Sequence, residues 1–195
     1  MMLLFGIITQ LNDAAFGLVK SVASNALDLV MKYWAESYFV VIPLLVIFLY
    51  LKKDSKVSTL VAAGITLFIL GEVLKLIFAE PRPCDVSGLS WINQIGCESG
   101  YSFPSNHATV LTGLFMFLGK YKYIRAGYII WMLVILFGRI YLGQHYLTDV
   151  IVGGMISVAV CYAFNKYSGR IEGLSHKIIN MIPVPIIRRS LNDHI

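Results

Sequence analysis

The amino-acid sequence predicts an all-α integral membrane protein, a bundle of about five transmembrane helices preceded by an N-terminal amphipathic interfacial helix. Hydrophobic residues make up 57% of the 195 residues, the mean hydropathy is +0.73 and only 14% of the residues are charged. This composition is too apolar for a soluble domain of this size. Because no repeat, low-complexity tract or Pro/Gly linker divides the chain, residues 1–195 are predicted to form a single domain.

The first 34 residues are predicted to form the interfacial helix. They lack the basic beginning of a signal peptide. Apolar residues recur at helical spacing, opposite a polar face, as expected for a helix lying in the membrane surface. The apolar positions are Phe16, Val19, Ala23, Ala26 and Val30, and the polar positions are Asp13, Lys20, Ser24, Asp28 and Lys32.

Five apolar stretches within residues 35–167 are predicted to cross the membrane. They are residues 37–51, 57–71, 103–119, 126–138 and 150–165. A hydrocarbon core of roughly 30 Å requires about 20 helical residues at about 1.5 Å each. The charge-free stretches are 13 to 17 residues long, so each helix must carry flanking polar residues to membrane depth.

The basic residues indicate the orientation of these helices. Eleven of the 16 Lys and Arg residues follow the first, third or fifth stretch. The positive-inside bias places them in the cytoplasm, with residues 168–195 as a cytoplasmic tail and residues 79–102 and 143–148 outside. The net charge of +5 is therefore attributed to topology. Neither a nucleic-acid partner nor an obligate protein partner is predicted.

A second set of ionisable residues is predicted to meet at the outer face. Lys75, Arg82 and Arg139 lie at the outer ends of the second and fourth stretches, and His107 and Asp149 lie at the start of the third and fifth. A single cation there could be a snorkelling anchor. Because an ionisable group near the bilayer centre costs about 2.5–3.5 kcal/mol, several at one depth indicate partners or a function.

Residues 75–83, KLIFAEPRP, are suited to binding an anion. Lys75 and Arg82 are seven residues apart, so they share one helix face if the helix continues until the prolines end it. Arg82 offers a planar fork for paired phosphate oxygens and Lys75 a point charge, while Arg139 supplies a second fork. Glu72, one turn before Lys75, is expected to pair with it rather than to act in catalysis.

Residues 104–107, PSNH, are suited to the same ligand. Pro104 fits the first turn of a helix capped by Ser102 or Phe103. The amides of residues 105–107 would then lack partners within the helix, and such amides bind anions. The segment is therefore predicted to place an imidazole beside a phosphate cradle.

Residues 145–149, HYLTD, supply a second imidazole. His145 and Asp149 are four residues apart, a spacing at which the carboxylate can orient the ring and stabilise its positive charge. An oriented neutral histidine is a nucleophile, and His107 across the anion could protonate the departing oxygen. This chemistry requires no metal or cofactor, and none is predicted.

These three segments resemble a known family. KLIFAEPRP, PSNH and GRIYLGQHYLTD are similar, in order and spacing, to the K-x6-RP, PSGH and SR-x5-H-x3-D motifs of the type 2 phosphatidic acid phosphatase superfamily. The resemblance, over residues 75–149, implies that His145 attacks phosphorus to form a phosphohistidine, with support from Asp149, and that His107 protonates the leaving group. It implies that the phosphate oxygens are held by Lys75, Arg82, Ser105, the amide of Asn106, and Arg139.

The resemblance also implies a substrate. The short chain and the EPRP segment are most similar to bacterial bacitracin-resistance undecaprenyl diphosphatases, so a polyprenyl diphosphate in the cell membrane, cleaved on the extracytoplasmic side, is expected. Phosphatidylglycerophosphate and phosphatidic acid phosphatases share the motifs and are the alternatives. Asn106 replaces the family's Gly and Gly138 its Ser. Neither change removes a catalytic group, and both are expected to alter affinity or the head group that fits.

Two other classes of protein are alternatives. A transporter or proton relay would also gather Lys, Arg, His and Asp in a bundle. It predicts polar residues toward the cytoplasmic end, where VLTGLFMFLG and IVGGMISVAV carry no charge. A His/His/Asp metal site is a chemical alternative, but the sequence contains no HExxH helix.

Two of the three cysteines fall in the predicted outer loop. Cys84 and Cys97 lie there, and Cys161 lies within the fifth apolar stretch. An oxidising exterior would permit a disulfide between Cys84 and Cys97 that braces the loop over the site. Two free thiols are the alternative.

Overall fold

The structure, a computed structural model, describes residues 2–86 and 97–173. Within these ranges it is helical and contains no strand. The elements are α1 (Met2–Val22), α2 (Asn25–Glu36), α3 (Tyr38–Leu51), α4 (Val57–Phe78), a short 3-10 turn (Pro83–Asp85), α5 (Asn106–Phe117), α6 (Lys122–Tyr141) and α7 (Leu147–Lys166). Part of the predicted outer loop, residues 87–96, and most of the predicted tail, residues 174–195, lie outside the described residues.

The all-α membrane fold is confirmed. Among the residues that the structure describes, four segments are long and apolar enough to cross a membrane: Asn25–Leu51, Val57–Asp85, Lys122–Tyr141 and Leu147–Lys166. Helices α3 to α7 coincide with the five predicted stretches, and α5, with 12 residues, is the shortest of them. Large apolar side chains on the outside of the bundle, such as Leu44, Phe68 and Ile130, are more than half exposed. The chain is therefore a multi-pass membrane protein.

Helix α5 lies at the centre of the bundle, packed against α7 and α4. Leu111 and Leu114 are buried in this core. The approach of α7 depends on Gly153, where an added Cβ would lie 2.8 Å from the carbonyl oxygen of Ser105 and 3.1 Å from the Ala108 Cβ. This close contact brings the start of α7 beside the start of α5.

The N-terminal segment differs from the single interfacial helix predicted for residues 1–34. The chain breaks after α1, and the Ser24 hydroxyl caps α2 by accepting a hydrogen bond from the Leu27 amide at 3.3 Å. The break changes the helical phase, so the predicted apolar face does not continue. Val19 is buried, but Val30 is 53% exposed, and Ala35 is the buried residue of α2. α2 also extends to Glu36, past the predicted boundary.

Both N-terminal helices pack against the end of the bundle where α6 finishes and α7 begins. The Asn12 side chain accepts a hydrogen bond from the Thr148 amide at 3.2 Å, and its amide nitrogen donates to the Thr148 hydroxyl at 3.2 Å. The Tyr141 hydroxyl donates to the Asp28 carboxylate. These contacts tie α1 to the start of α7 and α2 to the end of α6.

The opposite end of the bundle is organised around one buried carboxylate. Asp54, in the turn between α3 and α4, accepts hydrogen bonds from the Lys56 amide at 3.1 Å and the Tyr121 hydroxyl at 2.9 Å, and pairs with Lys120 at 3.3 Å. Burial raises the pKa of Asp54, but these hydrogen bonds outweigh burial and leave it below its ordinary value. The α3–α4 and α5–α6 connections are joined at this end.

Candidate active site

A cavity of about 390 Å³ opens at the end of the bundle where α4 finishes and α5 and α7 begin. Its wall on one side is apolar, formed by side chains of α3, α4 and α5 that include Ile42, Phe68 and Val110. Its carboxylate, cationic, imidazole and amide side chains are Glu72, Lys75, Arg82, Glu98, Asn106, His107 and His145. The structure thus brings five of the eight predicted site residues to one cavity, and Ser105, Arg139 and Asp149 lie behind its surface.

Arg82 reaches the cavity from an extended segment, not from the helix that the sequence analysis expected to continue to the prolines. α4 ends at Phe78, and Ala79 adopts a left-handed conformation with φ of 46° while its amide bonds to the Lys75 carbonyl. Helical geometry is disfavoured before Pro81, which also has no amide hydrogen, so the chain turns away here. The Arg82 guanidinium is 3% exposed and donates to the Gln144 carbonyl at 2.7 Å.

The start of α5 also differs from the expectation. The cap is Ser105, not Ser102 or Phe103, and its hydroxyl oxygen accepts a hydrogen bond from the Ala108 amide at 3.4 Å. The Ser105 amide bonds to the Asp149 carbonyl at 3.3 Å, so it is not free. Asn106 and His107 therefore occupy the first two helical positions, whose amides have no acceptor within a helix.

His145 and Asp149 form the expected pair, although His145 precedes α7 rather than lying on it. The His145 Nδ1 is 3.5 Å from the Asp149 Oδ2. The same oxygen accepts hydrogen bonds from the Tyr146 amide at 2.8 Å and from the Ser102 hydroxyl. The carboxylate is fully buried. Asp149 thus caps α7 and is held in place beside the imidazole.

The environment of His145 keeps its ring neutral. The side chain is buried beside two guanidinium groups. Burial, followed by the positive charges of Arg139 and Arg82, lowers the pKa of His145 well below its ordinary value. A neutral ring near pH 7 has a free nitrogen lone pair, which is the form a nucleophile requires.

His107 lies on the α5 side of the same cavity. Its ring packs edge-on against Tyr38 of α3, with ring centroids 4.4 Å apart. Its Nε2 is buried and has no hydrogen-bond partner among the described residues. The two predicted histidines therefore reach one cavity from different elements.

Buried polar atoms without partners concentrate here. The described part of the chain has eight buried side-chain nitrogen or oxygen atoms that form no hydrogen bond. Six belong to this cluster: Arg82 Nε, Asn106 Oδ1, His107 Nε2, Arg139 Nε, His145 Nδ1 and Asp149 Oδ1. Since buried polar groups are usually paired, this concentration indicates a site built to interact with a ligand.

Glu98 is the main residue of the cavity that the sequence analysis missed. Its carboxylate oxygen lies 2.5 Å from the Arg139 Nη2 and 3.7 Å from the Arg82 Nη2. Burial raises the pKa of Glu98, but the hydrogen bond and charge of Arg139 outweigh it and bring the pKa to about 2. No helical periodicity or motif marks this position, so only its spacing one residue after Cys97 could have drawn attention to it.

Gln144 and the cysteine pair hold the loops of the site together. The Gln144 side-chain oxygen accepts a hydrogen bond from the Glu98 amide at 3.0 Å, and its carbonyl accepts from Arg82. The Cys84 amide donates to the Gly143 carbonyl at 2.9 Å. Cys84 and Cys97 are joined by a disulfide, with Cα atoms 5.8 Å apart. Three chain segments distant in sequence are thus fastened to one another around the guanidinium groups.

The two departures from the family pattern have different surroundings. The Asn106 side chain donates to Glu72 at 2.5 Å, and its oxygen occupies the space over Gly71, 2.1 Å from where a Cβ would stand. Glu72 also pairs with Lys75 at 3.3 Å, as expected. An added Cβ at Gly138 would meet Met31 of α2 at 3.6 Å. Asn106 therefore lines the cavity, whereas Gly138 contacts α2.

The bundle and this cluster define a multi-pass membrane protein with histidine, carboxylate and guanidinium side chains gathered at one cavity. A family model, the PAP2 superfamily, matches residues 55–172. The chain therefore belongs to the PAP2 superfamily, which confirms the predicted resemblance.

Two curated relatives are similar to most of the chain. An undecaprenyl-diphosphatase of Sulfolobus acidocaldarius is 30% identical over 128 residues, 64% of this chain, and the match spans only 61% of that relative's length. The undecaprenyl-diphosphatase BcrC of Bacillus subtilis is 26% identical over 151 residues, 76% of each chain. The similarity in both cases extends well beyond the three motifs.

Two crystal structures share the fold. Aquifex aeolicus LpxE matches with a TM-score of 0.65 and 28% identity, over 78% of this chain and 93% of that one. A PAP2-type phosphatidylglycerolphosphate phosphatase from Bacillus subtilis matches with a TM-score of 0.65 and 20% identity, over 85% and 88% of the two chains. The second likeness supports the fold alone.

Proposed function

We propose that this protein is a metal-independent lipid phosphatase that cleaves a phosphate or diphosphate from a membrane lipid through a phosphohistidine on His145. The observation that carries the proposal is the juxtaposition in the cavity of a neutral, carboxylate-supported His145 with a second histidine and cationic groups. A nucleophile, a candidate acid and anion-binding groups are the parts that phosphoryl transfer requires.

The ligand phosphate is held by groups from three segments. Lys75 and Arg82 reach it from the end of α4 and the segment that follows, and Arg139 from the end of α6. Two more donors complete the proposed contacts. They are the Asn106 amide, the first of α5, and the hydroxyl hydrogen of Ser105, since the Ser105 oxygen is already used to cap the helix. These donors stabilise the charge on the phosphoryl oxygens as the bond to the leaving group breaks.

Hydrolysis proceeds by two displacements at phosphorus. The lone pair of His145 forms a bond to phosphorus as the bond to the leaving oxygen breaks, and His107 in its protonated form delivers a proton to that oxygen. Asp149 stabilises the resulting charge on the His145 ring. His107, now neutral, then removes a proton from water as the water attacks phosphorus, releasing inorganic phosphate and restoring His145.

The favoured substrate is a polyprenyl diphosphate. The two curated relatives are undecaprenyl-diphosphatases, and the apolar side of the cavity, formed by α3, α4 and α5, suits a hydrocarbon chain beside a charged head group. Phosphatidylglycerophosphate and phosphatidic acid are the alternative substrates, since the motifs do not distinguish among these lipids.

The site is proposed to face the extracytoplasmic side of the cell membrane. Lys52, Lys53 and Lys56 lie at the end of the bundle opposite the cavity, as do Lys120 and Lys122. The positive-inside bias assigns that end to the cytoplasm. Labelling of single introduced cysteines in intact cells with a membrane-impermeant thiol reagent tests the assignment. Failure of cysteines at the cavity end of the bundle to react would reject it.

The function is tested by release of inorganic phosphate from a panel of farnesyl diphosphate, undecaprenyl diphosphate, phosphatidylglycerophosphate and phosphatidic acid. Wild type is compared with His145→Ala and His107→Ala. We expect both variants to lose activity, and a base-stable, acid-labile phosphoenzyme to form in wild type but not in His145→Ala. Undiminished hydrolysis by His145→Ala would reject the mechanism, and no hydrolysis of any lipid by wild type would favour a transporter.

A further inference from the structure

The carboxylate of Glu98 occupies the position between the two guanidinium groups that a phosphate would be expected to take. It lies 2.5 Å from Arg139 and 3.7 Å from Arg82. The side chains of both arginines are buried, at 4% and 3% exposure. Each guanidinium also has a buried Nε without a partner. Two buried cations therefore share one internal anion.

The backbone of Glu98 is held by neighbouring contacts, whereas its side chain is half exposed. Its amide donates to Gln144 at 3.0 Å, and the preceding residue, Cys97, is joined to Cys84. The carbonyl of Ser99 accepts a hydrogen bond from Arg82 at 3.4 Å. The Glu98 side chain, by contrast, is 50% exposed and lines the open cavity. The cavity therefore offers open space into which a rotation of the side chain would carry the carboxylate away from Arg139.

A carboxylate and a phosphate are alternative partners for the same guanidinium. Both present paired oxygens to the planar fork of arginine, with a phosphate carrying more charge. The Glu98 carboxylate and a phosphate cannot occupy the same position beside Arg139 together. Two negative charges in contact repel strongly in a site of low dielectric constant. Binding of phosphate to Arg139 therefore requires Glu98 to move.

We propose that Glu98 is a built-in competitor for the phosphate site, which sets the affinity of the enzyme for substrate and for product phosphate. The inference rests on the proposed function, because it assigns Arg82 and Arg139 to phosphate binding. Glu98 pairs with Arg139 when no phosphate is bound, swings into the open cavity when a substrate enters, and returns to Arg139 as the product leaves. The competition weakens substrate binding and favours release of inorganic phosphate.

Binding of inorganic phosphate to the purified full-length protein in detergent tests this inference. Thermal unfolding is followed over a phosphate titration at constant ionic strength, which requires no enzyme turnover. Glu98→Gln removes the charge and keeps the shape. The neutral side chain in Glu98→Gln would hold Arg139 less strongly than the carboxylate does, because charge-assisted hydrogen bonds are stronger than neutral ones. Phosphate would then displace it more easily, so we expect Glu98→Gln to lower the apparent Kd for phosphate about tenfold or more relative to wild type.

Asp85→Asn is the matched control. Asp85 is an exposed carboxylate three residues after Arg82, near enough for its charge to act on Arg82, and its substitution removes one negative charge without touching the Arg139 partner. We expect its Kd for phosphate to stay within about twofold of wild type, because exposed charges are screened by salt. An equal gain in both variants would show a general charge effect and overturn the inference.

The other outcomes are also decisive. Phosphate binding that is unchanged or weaker in Glu98→Gln, together with a lower unfolding temperature, would make Glu98 a structural partner of Arg139 and overturn its role as competitor. If neither wild type nor Glu98→Gln binds phosphate, the phosphate site itself would be overturned. If wild type hydrolyses the lipid and binds phosphate as tightly as Glu98→Gln does, only the role of Glu98 would be overturned.

Discussion

Replacement of Asp149 by Asn tests how much the buried carboxylate contributes to catalysis. The Asp149 Oδ2 is 3.5 Å from the His145 Nδ1. In the proposed mechanism, the His145 ring becomes positively charged when it attacks phosphorus, and the Asp149 carboxylate stabilises that charge. At this distance, with an effective dielectric constant of about 20, Coulomb's law gives about 5 kcal/mol. This energy corresponds to a rate effect of about 3,000-fold.

Asp149→Asn is chosen because it preserves packing. The amide oxygen can still accept the hydrogen bonds that the carboxylate receives from the Tyr146 amide and the Ser102 hydroxyl. We therefore expect the unfolding temperature to change little while kcat falls about 1,000-fold, somewhat less than the full Coulomb value because the amide retains a dipole. Ser102→Ala removes one hydrogen bond to the carboxylate but not its charge, so kcat should fall only about tenfold.

The assay is release of inorganic phosphate from a polyprenyl diphosphate in detergent micelles, with a single-turnover measurement of phosphoenzyme formation. The phosphorylation step should slow in Asp149→Asn, because the positive charge on His145 develops in that step. Activity of Asp149→Asn within tenfold of wild type, with the protein folded, would refute the assignment of Asp149 as the support of the nucleophile.

Three further predictions concern residues around the site and at the other end of the bundle. Asn106→Gly should lower the unfolding temperature by the equivalent of about 1 kcal/mol, because the hydrogen bond to Glu72 is lost and glycine is flexible, while kcat changes less than tenfold. Glu72→Ala, which removes the acceptor of this hydrogen bond and the partner of Lys75, should lower stability at least as much. A far larger fall in kcat in Asn106→Gly would give Asn106 a direct catalytic role. Asp54→Ala should cost about 1–3 kcal/mol at pH 7. The pKa of Asp54 is lower in the folded than in the unfolded protein, so its stabilisation is present above the unfolded pKa and is lost as the pH falls. The difference in unfolding temperature between wild type and Asp54→Ala should therefore shrink below about pH 4. A difference that stays constant with pH would contradict this account. Cys97→Ser removes the disulfide and should lower the free energy of unfolding by about 2–4 kcal/mol. Reductant should lower the unfolding temperature of wild type but not of this variant. An unfolding temperature of wild type that does not change with reductant would show that the disulfide contributes nothing.

Much of the site could be predicted because its residues follow helix ends and occur at characteristic spacings. Charged residues bounding apolar stretches predicted helices α3 to α7, and alternating direction predicted that Lys75, His107 and His145 would meet. The pairing of Glu72 with Lys75 followed from their separation of one helical turn. These are local rules of helix periodicity and membrane topology, which a single sequence displays directly.

The remaining features depend on contacts that no local rule specifies. The break before Ser24 rests on a capping hydrogen bond that competes with continuation of an amphipathic helix. Ser105 caps α5 because Gly153 allows α7 to approach, and that approach joins the Ser105 amide to Asp149. Glu98 lies in irregular chain, where neither helical nor strand periodicity applies, so its ion pair with Arg139 was not foreseeable from its neighbours in sequence.

The shortness of α5 has a consequence for how the proposed lipid substrate would reach the site. Twelve residues at about 1.5 Å each extend about 18 Å, whereas the hydrocarbon core of a bilayer is about 30 Å thick. The end of α5 that follows Phe117 leads into the charged turn of Lys120, which belongs at the membrane surface. With the Lys120 turn at one surface, an upright α5 ends some 12 Å short of the other surface of the hydrocarbon core, so its His107 end would lie below the membrane surface. Under the proposed function, the head group of the lipid must therefore enter the cavity below the membrane surface, with accompanying water, while its tail stays in the surrounding bilayer.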